Sequence, residues 1–206
     1  MKLVNDISES DIEKRLAAST NDPYLDPNSE ILVAGKPRLA AVLIPLLMNK
    51  GSWEILFIRR SSAEADHHSG QVAFPGGRME PEDASPEKTA LREAQEEIAL
   101  GPDQVRILGN LEYMVTISNY QVTPIVGVIP WPISLKPAPS EVQRIFTIPL
   151  EWLADPANYE LRQREIPGGS NNGTHPVYYY KHFDNEVLWG VSARITMSFM
   201  RALGLK

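Results

Sequence analysis

FPGGRMEPEDASPEKTALREAQEEIAL, residues 74–100, decides how the rest of the chain is read. Ser85 is a good helix N-cap, Pro86 suits the first helical position, and Glu87 favours the positive end of the helix dipole. A helix is predicted from Pro86 to about Ala99, with Gly101-Pro102 stopping it. Each helical residue turns about 100°, so Glu93, Glu96 and Glu97 share one face while Leu91, Ala94 and Ile98 lie on the other. Such a triplet repels itself by about a few tenths of a kcal/mol per close pair, which a solvated acidic face tolerates. The preceding segment changes the weighting. Phe74-Pro75-Gly76-Gly77 joins a short strand, Val72-Ala73-Phe74, to the helix, and its glycines let the backbone approach a ligand closely. A hard divalent cation takes oxygen ligands, and clustered carboxylates with a nearby carbonyl supply them.

Working outward, Leu39 to Leu47 is a nearly continuous apolar run that fits a strand buried on both faces. Gly51-Ser52 makes a turn into a second strand, Trp53 to Ile58. Val105 to Val115, Val122 to Ile129, Val142 to Ile148, Val177 to Tyr180 and Val187-Leu188-Trp189 read as further strands. Leu150 to Ala154 reads as a helical turn, and a terminal helix is expected from about Ser192 to Leu203. Residues 7–18 form a short amphipathic helix capped by Ser8 or Ser10, and Asn21 to Lys36 an irregular connection. A Pro-rich stretch from Pro130 to Pro139 crosses the surface. The reading is one mixed α/β domain over residues 38–206, preceded by an N-terminal helix and connection over 1–37.

The 206 residues suffice for one sizeable domain, and no run of 18 or more apolar residues offers a membrane span. The N-terminus lacks the apolar stretch of a signal peptide, so a cytoplasmic location is expected. Zero cysteines remove thiol nucleophiles, thiolate zinc sites and disulfides together. A net charge of -6 argues against nucleic acid as partner, yet leaves room for a phosphorylated substrate bound through bridging cations.

Gly77, then Arg92-Glu93-Ala94-Gln95-Glu96-Glu97-Ile98-Ala99-Leu100, resembles the Nudix box. The resemblance implies an α/β/α sandwich around a mixed β-sheet, metal-binding carboxylates at Glu93, Glu96 and Glu97, and a Gly77 carbonyl in the metal shell. It further implies Mg²⁺ or Mn²⁺, an Arg92 that holds the box together through an ion pair, and Gly76 as a structural glycine. Ala99 stands where the family has glycine, tolerable if its backbone is not left-handed. The Gly77–Arg92 spacing is one residue longer than the common pattern, which leaves Asp83 or Glu82 to replace the upstream Glu.

Arg60-Ser61-Ser62 and His68-Ser69-Gly70-Gln71-Val72-Ala73-Phe74-Pro75-Gly76-Gly77 resemble the segment upstream of the box in coenzyme A pyrophosphatases. So do Tyr120-Gln121-Val122-Thr123-Pro124 and Trp189-Gly190 leading to Ala193-Arg194. The implied reaction splits the diphosphate of coenzyme A into adenosine 3′,5′-bisphosphate and 4′-phosphopantetheine. Glu96, then Glu141, are the candidate general bases, and Arg60, His68 and Arg78 the candidate substrate contacts. Asp66 stands where relatives often carry a basic residue, and Ser118-Asn119 replaces a Thr-Gly pair. Asp66 keeps open an ADP-sugar or dinucleotide substrate, and a non-catalytic nucleotide-sensing module is a further alternative. A homodimer is the family-based expectation.

Other polar and aromatic residues have plainer readings. His67-His68 lacks a partner pair at ligand spacing. Arg59 is a phosphate clamp or a solvated strand end, and Tyr178-Tyr179-Tyr180 stacks on adenine or packs against the fold. Trp131 is a candidate lid, and Asn171-Asn172-Gly173 a hairpin turn.

Overall fold

Alternation along Arg38–Asn49 (β1) organises the molecule. Ala40, Ile44 and Leu46 belong to one apolar core, while Ala41, Leu43 and Leu47 belong to a second core on the opposite face. A period of two with both faces apolar is the pattern of a central strand covered above and below. The computed structural model describes residues 4–19, 35–61, 70–165 and 174–206. The expected connection at 21–34, His68 and the turn at 171–173 lie outside the described residues.

β1 pairs parallel with Tyr120–Val128 (β7) along one edge. Along its other edge it pairs with two strands in turn. Leu46–Asn49 meets Ser52–Ile55 at the start of β2 (Ser52–Arg60), and Ala40–Val42 meets Gly76–Arg78 (β4). Val72–Ala73 (β3) pairs with the far end of β2 at Ile58 and Arg59. β1 and β2 are thus joined at one end and splayed at the other, with β3 and β4 filling the gap. The glycine pair expected in a loop is therefore a strand, fixed by β1 rather than by its own composition. Arg106–Asn110 (β5) and Met114–Val115 (β6) line the other edge of β7, and Val142–Pro149 (β8) the outer edge of β2. The single strand expected from 105 to 115 is split after a bulge between Ile107 and Gly109.

Three helices cover one face. Glu9–Ser19 (α1) is capped by the Ser8 hydroxyl, which accepts from Asp11 N at 3.1 Å, and it buries Ile12 and Leu16. Leu150–Ala154 (α3) and Gly190–Ala202 (α4) pack beside it, burying Leu153, Ile195 and Phe199. The opposite face carries Pro86–Ile98 (α2) through Ala90, Ala94 and Ile98, with Trp131, Ile133 and Leu135 packed alongside. Each fully buried Leu or Ile is worth about 1.5–3 kcal/mol over its exposed state, so both layers hold the sheet.

A separate ribbon of Tyr159–Glu165 (β9) and Thr174–Tyr180 (β10) completes the fold. Only the second strand was expected. β9 carries Glu160, Arg162 and Arg164, and it exists because β10 pairs with it, not because its composition favours a strand. Val187-Leu188-Trp189 is not a strand; Tyr179 and Trp189 make one isolated bridge after a turn in which Asp184 and Asn185 have positive φ. No helix among the described residues is long and apolar enough to cross a membrane.

Candidate active site

The α2 N-terminus forms as its sequence dictates. Ser85 is extended and its hydroxyl accepts from Lys88 N at 3.3 Å, while Pro86 occupies a position needing no N–H. At the other end Ala99 is left-handed (φ 56°, ψ 31°), so the condition for its tolerance is not met and the cap is strained.

Between β4 and α2 a knot of hydrogen bonds replaces the missing upstream Glu. Arg92 Nε donates to Asp83 Oδ1 at 3.1 Å and Nη2 to Asp83 Oδ2 at 2.9 Å. Nη2 also reaches the Arg78 carbonyl at 3.0 Å, and Nη1 reaches Glu93 Oε1 at 3.0 Å and Glu96 Oε2 at 3.1 Å. Asp83 further accepts from Glu80 N at 2.9 Å and Thr89 Oγ1 at 3.0 Å. Of Asp83 and Glu82, it is Asp83 that takes the vacant role. The hydrogen bonds from Arg92 draw the Asp83 carboxyl down to about 2 and raise the guanidinium, so both stay charged. A lysine at position 92 lacks the planar fork that reaches five acceptors at once.

Beyond the knot lie the carboxylates. Glu97 is 1% exposed, its Oε2 accepting from Gly76 N at 2.9 Å and its Oε1 facing Arg60 Nη1 at 3.5 Å. Burial pushes its carboxyl up to about 7, opposed by the Gly76 N–H and Arg60 and reinforced by Glu93 and Glu141. Glu93 is raised too, chiefly by burial, with Arg92 pulling it down and Glu96 and Glu141 pushing it up. A Cβ at Gly77 would lie 2.5 Å from Glu93 Oε1, and one at Gly76 would meet the Ala41 carbonyl at 2.5 Å. Both positions therefore require glycine for space, and Gly76 also for its φ of 154°.

These oxygens suit a hard cation. Burial raises both carboxylates toward neutrality, and Glu93 adds to the rise at Glu97, the state of a site that lacks enough positive charge. No three acidic or histidine side chains among the described residues converge on a single point, since Glu96 is 55% exposed and turned onto Arg92. Glu93, Glu97 and the Gly76–Gly77 backbone are brought together, with Arg60 at their edge. Arg78 stands exposed one residue beyond Gly77.

Three candidates fall away from the site. Arg59, on the opposite face of β2 from Arg60, pairs with Glu186 at 3.1 Å, which also binds Arg144 at 3.2 Å. Tyr180 is buried and donates to the Leu153 carbonyl at 3.2 Å, while Tyr179 stacks on Trp189 with centroids 5.3 Å apart, so packing wins for the tyrosine run. Trp131 packs against the α2 core and lines a cavity of about 580 Å³ with Trp53, Met48 and Arg106, at the far end of β1 from Gly77. What the sequence did not suggest is the main-chain route that holds the Ala138–Glu141 segment against α2 and β2. Ala138 N donates to Glu97 O at 2.8 Å, and Ser61 N to Glu141 O at 2.8 Å. Main-chain bonds of this kind leave no residue pattern to read.

A mixed sheet thus lies between helical layers, with a carboxylate helix packed behind a Gly-Gly strand. The NUDIX domain profile matches residues 36–166. A protein described as an uncharacterized Nudix hydrolase NudL from Photorhabdus laumondii is 39% identical over 158 residues, 77% of this chain and 81% of its own. Its counterpart in Pectobacterium atrosepticum is 38% identical over 77% of this chain and 79% of its own. A MutT/nudix family protein from Enterococcus faecalis shares the fold, with a TM-score of 0.52 over 86% of this chain and 66% of its own at 16% identity. The chain belongs to the Nudix hydrolase family, whose members cleave small diphosphate compounds with the help of divalent metal ions.

Proposed function

We propose that the protein hydrolyses the diphosphate bond of coenzyme A or its derivatives, giving adenosine 3′,5′-bisphosphate and 4′-phosphopantetheine. The observation that carries the catalytic part is Glu97, buried beside Glu93 with Gly76 N–H and Arg60 as its partners. Glu93 and Glu97, with Glu96 and the Gly77 carbonyl, would hold Mg²⁺ or Mn²⁺. Such a cation, when bound, neutralises diphosphate oxygens and makes water more acidic. Glu96, solvent-facing and bonded to Arg92 in this structure, takes the proton of the attacking water once it turns from that arginine; Glu141 is the second candidate for that task. Arg60 and Arg78 would pair with phosphate oxygens as charge builds in the transition state. Gly77 leaves room for the Glu93 carboxylate to lie against the strand and Gly76 for the β1 backbone, so the carboxylates and the Gly77 carbonyl stay close together.

Support for the coenzyme A assignment comes from the segments around Arg60-Ser61, Gly70-Gln71 and Tyr120 to Pro124, which resemble coenzyme A pyrophosphatases. Asp66, standing where those relatives often carry a basic residue, favours a second reading in which an ADP-sugar or dinucleotide is cleaved at the same site. The protein is to be incubated with coenzyme A, ADP-sugars and dinucleotides, with and without Mg²⁺ or Mn²⁺, beside Glu97→Gln. Cation-dependent release of phosphopantetheine, lowered at least about 100-fold in the variant, is the expected result. Cleavage of another compound in its place discards coenzyme A and keeps the reaction. Binding without turnover of any compound sinks the catalytic reading.

A further inference from the structure

Residues 130–139 run from β7 across the C-terminal end of α2 to the start of β8. Trp131, Ile133 and Leu135 seat this strap on the core beneath the helix. Lys136 N then donates to the Ile98 carbonyl at 3.0 Å and Ala138 N to the Glu97 carbonyl at 2.8 Å. Carbonyls that a helix leaves without partners at its C-terminus are here satisfied by protein. The Ala138 carbonyl in turn accepts from Glu141 N at 2.9 Å and Val142 N at 2.8 Å, which makes a tight turn between the helix end and Glu141.

Ser61 closes this turn from the β2 side. Its N–H donates to the Glu141 carbonyl at 2.8 Å, and its hydroxyl donates to the Pro139 carbonyl at 2.9 Å. The ladder here is irregular: Arg59 faces Arg144 but Arg60 faces Val142, which leaves Gln143 as an extra residue on β8. Glu141 is exposed, so packing around its side chain does not fix where it points. Its backbone does, and among the described residues the Ser61 hydroxyl is the side-chain group in that set of bonds.

We propose that Ser61 is a positioning residue, whose hydroxyl holds the Pro139–Glu141 turn so that the Glu141 carboxylate faces those of Glu93 and Glu97. The inference rests on the reading above that Glu141 takes part in the reaction. With the hydroxyl removed, the turn keeps its main-chain bonds but loses the anchor at Pro139, and Glu141 spends less time facing the helix. One hydrogen bond of this type corresponds to a loss of about three- to ten-fold.

The test uses the full chain and Mn²⁺ alone, titrated by electron paramagnetic resonance, then kcat and KM with the diphosphate turned over best. Ser61→Ala, Ser61→Thr, Glu141→Gln and the double variant Ser61→Ala with Glu141→Gln are compared. Expected for Ser61→Ala is weaker Mn²⁺ binding and a lower kcat, each by about three- to ten-fold, at unchanged KM. Threonine restores both, and the alanine change adds nothing once Glu141 is Gln. Equal losses from Ser61→Ala with and without Glu141 overturn the proposal, because the serine would then serve the fold alone. A Glu141→Gln variant intact in both measurements overturns the role of Glu141 and the proposal with it. An impaired Glu141→Gln beside an unaffected Ser61→Ala overturns the proposal and leaves Glu141 in place.

Discussion

Glu97 carries a cost that the rest of the molecule absorbs. Burial, with Glu93 and Glu141 nearby, pushes its carboxyl from 4.5 up to about 7. A carboxyl raised on folding binds its proton more tightly in the folded state, so stability falls as pH rises from the unfolded value through about 7. Above that the full penalty applies, on the order of 3 kcal/mol in metal-free protein. In chelator, the melting temperature should therefore drop between pH 5.5 and pH 8 by more in the wild type than in Glu97→Gln. Mg²⁺ should raise it at pH 8 far more than at pH 5.5, where protons compete for the same oxygens. Equal pH dependence in the two proteins would remove Glu97 as the source. The roles of single residues were legible in unequal measure. The three carboxylates stand out by spacing on a helix, whereas Arg59 and Arg60 are neighbours with the same chemistry. Alternation along β2 separates them, sending Arg60 to Glu97 and Arg59 to Glu186.

Among the elements, α2 is the one whose ends say most. Its start is well capped, but Ala99 holds a left-handed conformation that costs a non-glycine residue about 1 kcal/mol or more. Ala99→Gly should raise stability by about 1 kcal/mol in urea unfolding, without loss of turnover. A destabilised variant would mean that the flanking bonds, Ala99 N to Gln95 O at 3.0 Å and Leu100 N to Ala94 O at 3.3 Å, depend on alanine. α2 could be read from sequence because its cap, its proline and its apolar stripe are all local. β4 could not, since Gly76-Gly77-Arg78 has no strand pattern and is extended only because Ala40–Val42 pairs with it. β9 is the same case with charged residues, held by β10. Val187-Leu188-Trp189 errs in the other direction: apolar enough for a strand, it follows a turn that gives it no ladder to join.

At the scale of the molecule, the first helix belongs to the shared core. Leu16 is 1% exposed and would contact a Cβ placed on Gly109, while Trp53 Nε1 donates to the Ile7 carbonyl at 2.8 Å. Leu16→Ala should cost about 2–5 kcal/mol in global stability. Activity per folded molecule should stay near wild type, since the carboxylate site lies on the opposite face. A local loss, with the main unfolding transition unmoved, would show that the helix is not coupled to the sheet. A mixed α/β domain was legible from apolar runs and caps, and the sandwich from the resemblance of residues 77–100 to the Nudix box, but the order of strands was not, because pairing is a long-range choice. That order has a kinetic side. β1 and β7, the parallel pair at the middle of the sheet, are separated by all of the chain from Lys50 to Asn119, so a large loop must close before either gains its partner. During synthesis the centre of the sheet stays unmade until residue 128 has emerged from the ribosome, and Glu141 follows later still. Arg60, Gly76 and Glu97 all lie inside that loop, so each of them is made before the central pair can close.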